Sequence, residues 1–442
     1  MLVPERAAAR RARTQGPGNG RIHATSHSTD DRLVEAVGLA QAISLDVAAA
    51  QIVPLAAPRP ATLFGTGKVT ELAALIEDND AGLVIVDHAL SPVQQRNLEK
   101  AWNCKVLDRT GLILEIFGER ALTREGRLQV ELAHLTYQKS RLVRTWTHLE
   151  RQRGGFGFLG GPGEAQIETD RRLIDERITA IRRELDVVVK TRGLQRVRRK
   201  RAPYPVVAIV GYTNAGKSTL FNRLTGASVS AKDQVFQTLD PTVRELKLPS
   251  GRRVMLSDTV GFISDLPTTL VAAFRATLEE VVEADLVLHV RDISHPETEA
   301  QRHDVETLLE GLGVSAASTI VEAWNKADRL DPAQRREIES AMARHERQPV
   351  LVSAVSGEGL DNLRERIDRE RGIKDEIFSL VLSPADGRLL SWLHAHADVL
   401  QEQADETGRV TAHFRIDPAN RGKLEGQLKR AGRPNAARAA LI

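Results

Sequence analysis

Short apolar runs alternate with amphipathic segments over the first part of the chain, and this alternation predicts an α/β domain. The apolar runs that predict strands are residues 50–55, 82–87 and 105–108. The amphipathic segments that predict helices are residues 33–40, 69–77 and 92–101. Because strands that alternate with helices usually form a parallel sheet, we expect a small, mostly parallel sheet in an N-terminal domain at residues 29–120.

The hydrophobic period changes to that of paired helices in residues 121–202. One heptad seam runs through Leu128, Leu132, Leu135, Leu142, Trp146 and Leu149. A second runs through Ile174, Ile178, Ile181, Leu185 and Val188. Between the seams, residues 154–163 contain six glycines, which favour a loop. The pattern predicts two long helices in an antiparallel hairpin whose glycine-rich tip spans Gly154 to Glu164.

Two further domains follow the hairpin. Five apolar runs predict the strands of an α/β domain at residues 203–372, and they lie at 206–210, 254–257, 285–292, 319–324 and 350–354. Residues 373–442 predict a small α+β domain. Its expected elements are strands 377–382 and 410–416, a helix at 385–401, a final helix through Leu424 and Leu428, and a frayed basic tail at 429–438. The fold class is therefore α/β, with the hairpin inserted between two α/β domains.

Composition narrows the class of protein. Hydrophobic residues make up 41% of 442 residues, enough for sizeable cores. The single cysteine, Cys104, excludes an internal disulfide framework and suits a reducing cytoplasm. No apolar run reaches the length of a membrane span, and the first residues lack the apolar stretch of a secretory signal.

Positive charge is concentrated in the hairpin. Residues 137–201 contain seventeen Lys or Arg and eight Asp or Glu, although the whole chain carries a formal net charge of only +3. A solvated helical face is one interpretation, and contact with RNA is the one we favour. Residues 1–28 contain five arginines, and we interpret them as a disordered basic extension rather than an arm that touches nucleic acid.

The segment G-Y-T-N-A-G-K-S-T at 211–219 stands between a predicted strand and a predicted helix. This is the context of a phosphate-binding loop, in which glycines let backbone N–H groups point at phosphate oxygens. Lys217 is expected to reach the β- and γ-phosphates and Ser218 to bind Mg²⁺. The predicted nucleotide contacts are Gly211, Tyr212, Thr213, Asn214, Ala215, Gly216, Lys217 and Ser218.

Two later segments are positioned to respond to the γ-phosphate. Thr238 is expected to place its hydroxyl on Mg²⁺, and Gly261, in the D-x-x-G of residues 258–261, to offer its N–H to the γ-phosphate. We therefore predict Lys217, Thr238 and Gly261 as catalytic, and Ser218 and Thr238 as metal ligands. The other predicted nucleotide contacts in these segments are Phe236, Gln237, Leu239, Asp240, Asp258, Thr259 and Val260.

Two further motifs select guanine. In N-K-x-D at 325–328, the carboxylate of Asp328 can accept from guanine N1–H and its amine, whereas adenine would leave that carboxylate unpaired. A loop after the last strand can meet guanine O6. The predicted base contacts are Asn325, Lys326, Ala327, Asp328, Ser353, Ala354 and Val355.

The chain resembles the HflX family of translational GTPases. The resemblance rests on the motif forms F-x-T-L-D-P-T at 236–242 and D-T-V-G-F at 258–262, and on three other segments, T-G-L-I-L-E-I-F at 110–117, E-G-R-L-Q-V-E-L at 125–132 and G-P-G-E at 161–164. It implies a cytoplasmic GTPase that binds the large ribosomal subunit and its rRNA and separates stalled or idle ribosomes. The family commonly has an arginine just before G-P-G-E, where this chain has Leu159-Gly160, so a contact made by that arginine is not expected here.

The residue after Gly261 bears on the rate of hydrolysis. Phe262 occupies a position where some GTPases carry a glutamine that orients water, so we expect slow intrinsic turnover that the ribosome accelerates. Asn214 either helps to hold K⁺ or makes a local loop hydrogen bond. The protein is expected to act as a monomer.

Two other functions remain open from the sequence. One is a nucleotide-controlled assembly factor for the large subunit. The other is an ATP-dependent RNA-remodelling enzyme, whose only support is Gly65-Thr66-Gly67-Lys68 before a predicted helix.

Overall fold

The computed structural model describes most of the chain as three sheets and their covering helices. The described residues are 1–6, 27–152, 162–199, 204–227, 236, 242–264, 275–314, 319–372, 376–405, 407–416, 418–430 and 438–439. No helix within these ranges is long and apolar enough to cross a membrane.

The N-terminal domain contains a four-stranded parallel sheet with the order β2-β1-β3-β4. Its strands are β1 (Leu2–Arg6), β2 (Gln51–Leu55), β3 (Leu83–Val86) and β4 (Lys105–Asp108). Its helices are α1 (Thr29–Ala42), α2 (Thr66–Asp78), α3 (Pro92–Trp102) and α4 (Arg109–Arg120). The alternation of strands and helices that the sequence predicts is confirmed.

The first residues correct the prediction of a disordered extension at 1–28. Leu2 and Val3 are buried, and β1 pairs with both β2 and β3 as an inner strand of the sheet. Ser28 caps α1 by accepting from the N–H of Asp31. The rest of the predicted extension, residues 7–26, lies outside the described residues.

The helical arm consists of α5 (Arg124–Gln152) and α6 (Pro162–Arg199). Ion pairs between Arg124 and Glu184 and between Glu131 and Arg177 show that the helices run antiparallel, as predicted. Leu128, Ile178 and Ile181 are buried on the shared face. The predicted tip loop ends earlier than expected because α6 begins at Pro162, which suits the first turn of a helix.

The central domain contains a six-stranded sheet with the order β10-β9-β8-β5-β7-β6, parallel except for its edge strand β6. Its strands are β5 (Val206–Val210), β6 (Thr242–Lys247), β7 (Arg253–Asp258), β8 (Leu286–Asp292), β9 (Ile320–Asn325) and β10 (Val350–Leu351). Its helices are α7 (Lys217–Thr225), α8 (Arg275–Val282), α9 (Thr298–Gly311), α10 (Pro332–Arg344) and α11 (Leu360–Gly372).

The C-terminal domain is an antiparallel sheet with the order β12-β13-β11-β14, packed on two helices. Its elements are β11 (Glu376–Leu382), α12 (Gly387–His396), β12 (Asp398–Ala404), β13 (Val410–Ile416), α13 (Pro418–Arg430) and β14 (Arg438–Ala439). Two predictions were wrong here. The helix expected to reach residue 401 ends at His396 and is followed by β12. At the two ends of the tail expected to fray, residues 429–430 belong to α13 and Arg438 to β14, while residues 431–437 lie outside the described residues.

We predict that Val3→Asp destabilises the protein by about 3–5 kcal/mol, since Val3 is 0% exposed and the new carboxylate would have no partner there. Urea unfolding measures the change. The matched control is Val34→Asp on the surface of α1, where valine is 71% exposed. Equal effects at the two positions would contradict the placement of β1 inside the sheet.

Candidate nucleotide site

Three parallel strands of the central sheet bring the predicted motifs to one edge. β5 pairs in register with β7 and β8, and β8 pairs with β9, so that Val210, Asp258, Asp292 and Asn325 all stand at carboxyl ends. Ligands of open parallel sheets bind outside these ends. The phosphate loop follows β5, D-x-x-G follows β7, and N-K-x-D begins at the end of β9.

Two glycines shape the phosphate loop. Gly211 has φ +151°, and a Cβ at this position would lie 2.2 Å from the carbonyl oxygen of Val290. Gly216 has φ +89° and caps α7, and a Cβ there would lie 2.3 Å from Nδ2 of Asn325. A side chain at either position would therefore displace a neighbouring strand end. The loop ends at the N-terminus of α7, whose dipole favours an anion.

Lys217 is buried at the centre of the site. Its Nζ donates to the carbonyl oxygen of Tyr212 at 2.7 Å. Burial lowers the pKa of Lys217 to about 8; Asp258 partly opposes this effect and Lys326 adds to it. A Cβ on Gly261 would lie 2.9 Å from Nζ, so the D-x-x-G segment directly adjoins this lysine. A phosphate placed here would meet the ammonium group and the helix terminus together.

The oxygen ligands of Ser218 and Asp258 suit Mg²⁺. Oγ of Ser218 donates to Oδ2 of Asp258 at 2.7 Å, and the Asp258 carboxylate is fully buried at the end of β7. A hydroxyl and a carboxylate are the hard donors that Mg²⁺ prefers, with phosphate oxygens completing its shell. The residues present therefore fit the ion that P-loop GTPases generally use.

The D-x-x-G segment is held against the phosphate loop. The hydroxyl of Thr259 donates to the carbonyl of Ile209. The N–H of Thr213 donates to the carbonyl of Phe262 at 2.7 Å, and the N–H of Phe262 donates to the carbonyl of Gly211 at 3.1 Å. The ring of Phe262 is buried. These bonds fix the backbone near Gly261 relative to the loop that precedes α7.

Asn325 joins three of the predicted motifs. Its Nδ2 donates to the carbonyl of Ala215 at 2.8 Å, and its Oδ1 accepts from the N–H of Ala354 at 3.0 Å. The hydroxyl of Ser353 donates to one oxygen of Asp328 at 2.5 Å, while the Asp328 side chain remains exposed. This carboxylate is thus oriented and accessible, as a guanine acceptor must be.

The remaining residues of the predicted nucleotide site make other contacts, are exposed, or lie outside the described residues. Lys326 pairs with Asp292 at 2.7 Å, whereas Asn214 and Val355 are exposed. Phe236 is buried and packs edge-on against Phe117 of α4, with ring centroids 4.6 Å apart. Gln237, Thr238, Leu239 and Asp240 lie outside the described residues, so their predicted roles stay predictions.

The motifs do not reveal one set of contacts with the N-terminal domain, which we call the anchor cluster. It consists of Glu35, Asp87, Arg109, Tyr212 and Ser264. The side chain of Tyr212 points into this cluster, since its hydroxyl donates to Glu35. The sequence could have predicted the position of two members, because Asp87 and Arg109 directly follow β3 and β4, at the carboxyl ends of a parallel sheet.

Four family models match successive parts of the chain. Their descriptions are "GTP-binding GTPase N-terminal" for residues 30–118, "GTP-binding GTPase Middle Region" for 120–199, "50S ribosome-binding GTPase" for 206–326 and "HflX C-terminal domain" for 339–438. The GTPase HflX of Magnetococcus marinus is 51% identical over 400 residues, which cover 90% of this chain and 91% of that protein. The chain belongs to the HflX family of GTPases. It is therefore a GTP hydrolase, and the resemblance inferred from the motifs is confirmed.

A second relative agrees with this assignment. The GTPase HflX of Escherichia coli K12 is 45% identical over 360 residues, covering 81% of this chain and 84% of that one. A GTP-binding protein of Sulfolobus solfataricus, solved with GDP, aligns with 25% identity and a TM-score of 0.42 over 77% of this chain and 95% of that chain.

We predict that nucleotide affinity falls as pH rises through the pKa of Lys217. The ammonium form binds phosphate, and phosphate in turn raises the pKa of the lysine, so the free protein loses affinity once the pH exceeds about 8. Between pH 7.5 and 8.5 we expect GDP to bind about threefold more weakly, with proton uptake detectable by calorimetry in buffers of different ionisation enthalpy. In Lys217→Arg, whatever its absolute affinity, this dependence should disappear. The same slope in both proteins would assign it to another group.

Proposed function

We propose that this HflX-family GTPase binds the large ribosomal subunit in the GTP state, separates the subunits of stalled or idle ribosomes, and leaves after hydrolysis. We place it in the cytoplasm and expect it to act as a monomer. The contacts of two adjacent residues support this proposal most strongly. Asp108 holds the base of the helical arm, and Arg109 holds the segment that follows D-x-x-G.

The contacts of Asp108 tie the arm to the N-terminal sheet. Its carboxylate accepts from the hydroxyl of Tyr137 and from Nη2 of Arg141, both at 2.6 Å, and it caps α4 through the N–H of Gly111. Arg109, the next residue, donates to the carbonyl oxygen of Ser264 at 2.9 Å. A structural change at the nucleotide site and a structural change in the arm would thus both act on the adjacent residues Asp108 and Arg109.

The arm suits an RNA partner. Arg172, Arg182 and Arg183 are exposed on α6, and residues 137–201 carry nine more basic than acidic side chains, seventeen against eight. A polyanion would bind such a surface with a strong dependence on salt. The match of residues 206–326 to the family of 50S ribosome-binding GTPases supports ribosomal RNA as this polyanion.

In the proposed site, Lys217 and the N-terminus of α7 bind the phosphates, and Ser218 with Asp258 holds Mg²⁺. Bound Mg²⁺ neutralises charge that develops on the phosphate oxygens. Gly261 donates its N–H to the γ-phosphate, and Thr238 places its hydroxyl on Mg²⁺. Because the bond from Gly261 requires that phosphate, hydrolysis removes this bond.

Phe262 occupies the position at which some GTPases have a residue that orients the attacking water. Its buried ring offers no group that could orient a water molecule, so the protein alone should hydrolyse GTP slowly. Partner-assisted GTPases are accelerated by up to roughly 10⁵-fold, and we assign this role to the ribosome. The same observation favours the second candidate function, a GTP-controlled assembly factor that binds without splitting ribosomes.

Base selection by Asp328 can be inverted. Asp328→Asn should weaken GTP binding about 100-fold, since the amide cannot accept two hydrogen bonds from guanine. It should improve binding of xanthosine triphosphate, whose base presents a carbonyl oxygen where guanine has an amine. Competition with a fluorescent nucleotide measures both affinities. A matched control is Asp331→Asn, which retains the cap oxygen of α10 away from the base. Unchanged base preference in Asp328→Asn would remove this residue from the site.

Splitting predicts a loss of light scattering from intact ribosomes when the protein and GTP are added. A non-hydrolysable GTP analogue should also produce this loss, and GDP should not. With Asp328→Asn, xanthosine triphosphate should support the reaction and GTP should not, which ties the signal to this protein. Binding in sedimentation without any loss of scattering would favour the assembly factor, and equal binding with GDP would contradict both functions.

The arm is tested in the same assays. Arg182→Gln combined with Arg183→Gln should reduce the dependence of log affinity on log salt by about 1.4 to 1.8 if each arginine meets one phosphate. GTP affinity should not change. A salt dependence equal to that of the original protein would favour a merely solvated face.

A further inference from the structure

The anchor cluster is a buried group of charged and polar side chains between the N-terminal domain and the nucleotide site. Asp87, Arg109, Tyr212 and Ser264 are each at most 5% exposed. Arg109 pairs with Glu35 through Nη2 and with Asp87 through Nη1. Arg32 adds a second cation, which lies 3.0 Å from Asp87. Two carboxylates and two guanidinium groups therefore balance in charge.

The phosphate loop and the segment after D-x-x-G each contribute a side chain to this cluster, Tyr212 and Ser264. Ser264 receives two hydrogen bonds from Arg109, on its carbonyl oxygen at 2.9 Å and on Oγ at 3.0 Å, and its own hydroxyl donates to Glu35 at 3.1 Å. The N–H of Ser264 donates to the hydroxyl of Tyr212 at 2.8 Å. Burial, and then the charge of Glu35, raise the pKa of Tyr212 well above its ordinary value, so the phenol stays a neutral donor.

The geometry limits how Gly261 can move. On one side of it, Thr259 is bonded to β5, and on the other side Phe262 is bonded to the phosphate loop at both its N–H and its carbonyl. Ser264 is the next fixed point. Arg109 and Glu35 contribute every side-chain contact that fixes Ser264 from the N-terminal domain, as far as the described residues show.

We infer that Glu35 and Arg109 are positioning residues for GTP hydrolysis, supplied by the N-terminal domain. They hold Ser264 and Tyr212 and thereby fix the N–H of Gly261 relative to Lys217. Both act through Ser264 and Tyr212, and we assign neither of them a contact with the nucleotide. This inference rests on the proposed role of Gly261 at the γ-phosphate.

The arrangement makes the coupling reciprocal. If the N-terminal domain favours one position of Gly261, then a γ-phosphate that binds Gly261 favours one position of the N-terminal domain by the same free energy. Asp108, adjacent to Arg109, holds the arm through Tyr137 and Arg141. A partner on the arm can therefore influence hydrolysis without entering the site.

The test uses Glu35→Gln and Ser264→Ala in the full chain. Removing Arg109 itself would leave two buried carboxylates without their main cation and would destabilise the fold. Misplacement of a catalytic group is costly, so we expect kcat to fall about tenfold in each variant. The Kd for GDP should stay within about twofold, because GDP does not reach Gly261. Affinity for a non-hydrolysable GTP analogue should fall relative to that for GDP.

The matched control is Arg120→Gln, at the other end of α4, where the guanidinium donates to the carbonyl of Ala42 at 2.9 Å inside the N-terminal domain. This variant should keep kcat and the preference for the GTP analogue over GDP. If Glu35→Gln and Ser264→Ala act on one contact, the double variant should be no slower than the slower single variant. A role in stability alone would lower Tm in all three variants and leave kcat unchanged, which would overturn the inference.

Gly261→Ala separates this inference from the function on which it rests. A fall in kcat with Gly261→Ala, but not with Glu35→Gln or Ser264→Ala, would overturn the positioning role and keep the proposed role of Gly261. Slow hydrolysis in the cluster variants with a normal rate in Gly261→Ala would show that the route through Gly261 is wrong. Should Glu35→Gln not fold, Ser264→Ala decides the matter, since it leaves every charge in place.

Discussion

The nucleotide site depends on the parallel pairing of β5, β7, β8 and β9. Parallel strands send all their carboxyl ends to one edge, so segments distant in sequence converge without long loops. The convergence is tight, because a Cβ on Gly211 or Gly216 would strike a neighbouring strand end. Asn325 completes it by bonding both the phosphate loop and the loop after β10. Recognition of phosphate and of base is therefore part of one hydrogen-bonded unit.

The N-terminal sheet also uses the edge formed by the carboxyl ends of its parallel strands, but for a different partner. Asp87 and Arg109 stand at the carboxyl ends of β3 and β4, where another parallel sheet would bind a small molecule. Here that edge binds the GTPase domain itself, through Tyr212 and Ser264. The Phe117–Phe236 contact adds an apolar joint next to the segment that contains Thr238. The domain that carries the arm thus contacts both segments expected to respond to hydrolysis.

The sequence predicted the elements whose patterns are local. The inner strands of the central sheet are apolar runs and the arm has two heptad seams, so both were predicted, whereas the mostly polar edge strand β6 (Thr242–Lys247) was missed. β1 was missed because the apolar residues at the start, Met1 to Val3, are few and precede a run rich in arginine. β12 was missed because Val399 and Leu400 extend the period of α12, and the polar residues of an edge strand give no contrary signal. The motifs located the site. Its contacts with the N-terminal domain, however, involve pairs such as Glu35 and Ser264, which are so far apart in sequence that no periodic pattern could predict them.

The charge content of the anchor cluster argues for a role in specifying geometry rather than in stability. A buried ion pair often contributes no more than well-packed apolar side chains of similar volume, because both ions lose their hydration. An apolar contact, however, tolerates sliding, whereas the two guanidinium nitrogens of Arg109 must meet Glu35, Asp87 and Ser264 at fixed angles. The observed docking gives Ser264 and Tyr212 their partners in the N-terminal domain. The ion pairs lie within the N-terminal domain, so an imperfect docking leaves them intact but breaks the hydrogen bonds of Arg109 and Glu35 with Ser264 and Tyr212. Because buried polar groups then lose their partners, the cluster favours either the aligned arrangement or full separation over intermediate positions, as a two-position coupling between arm and nucleotide requires.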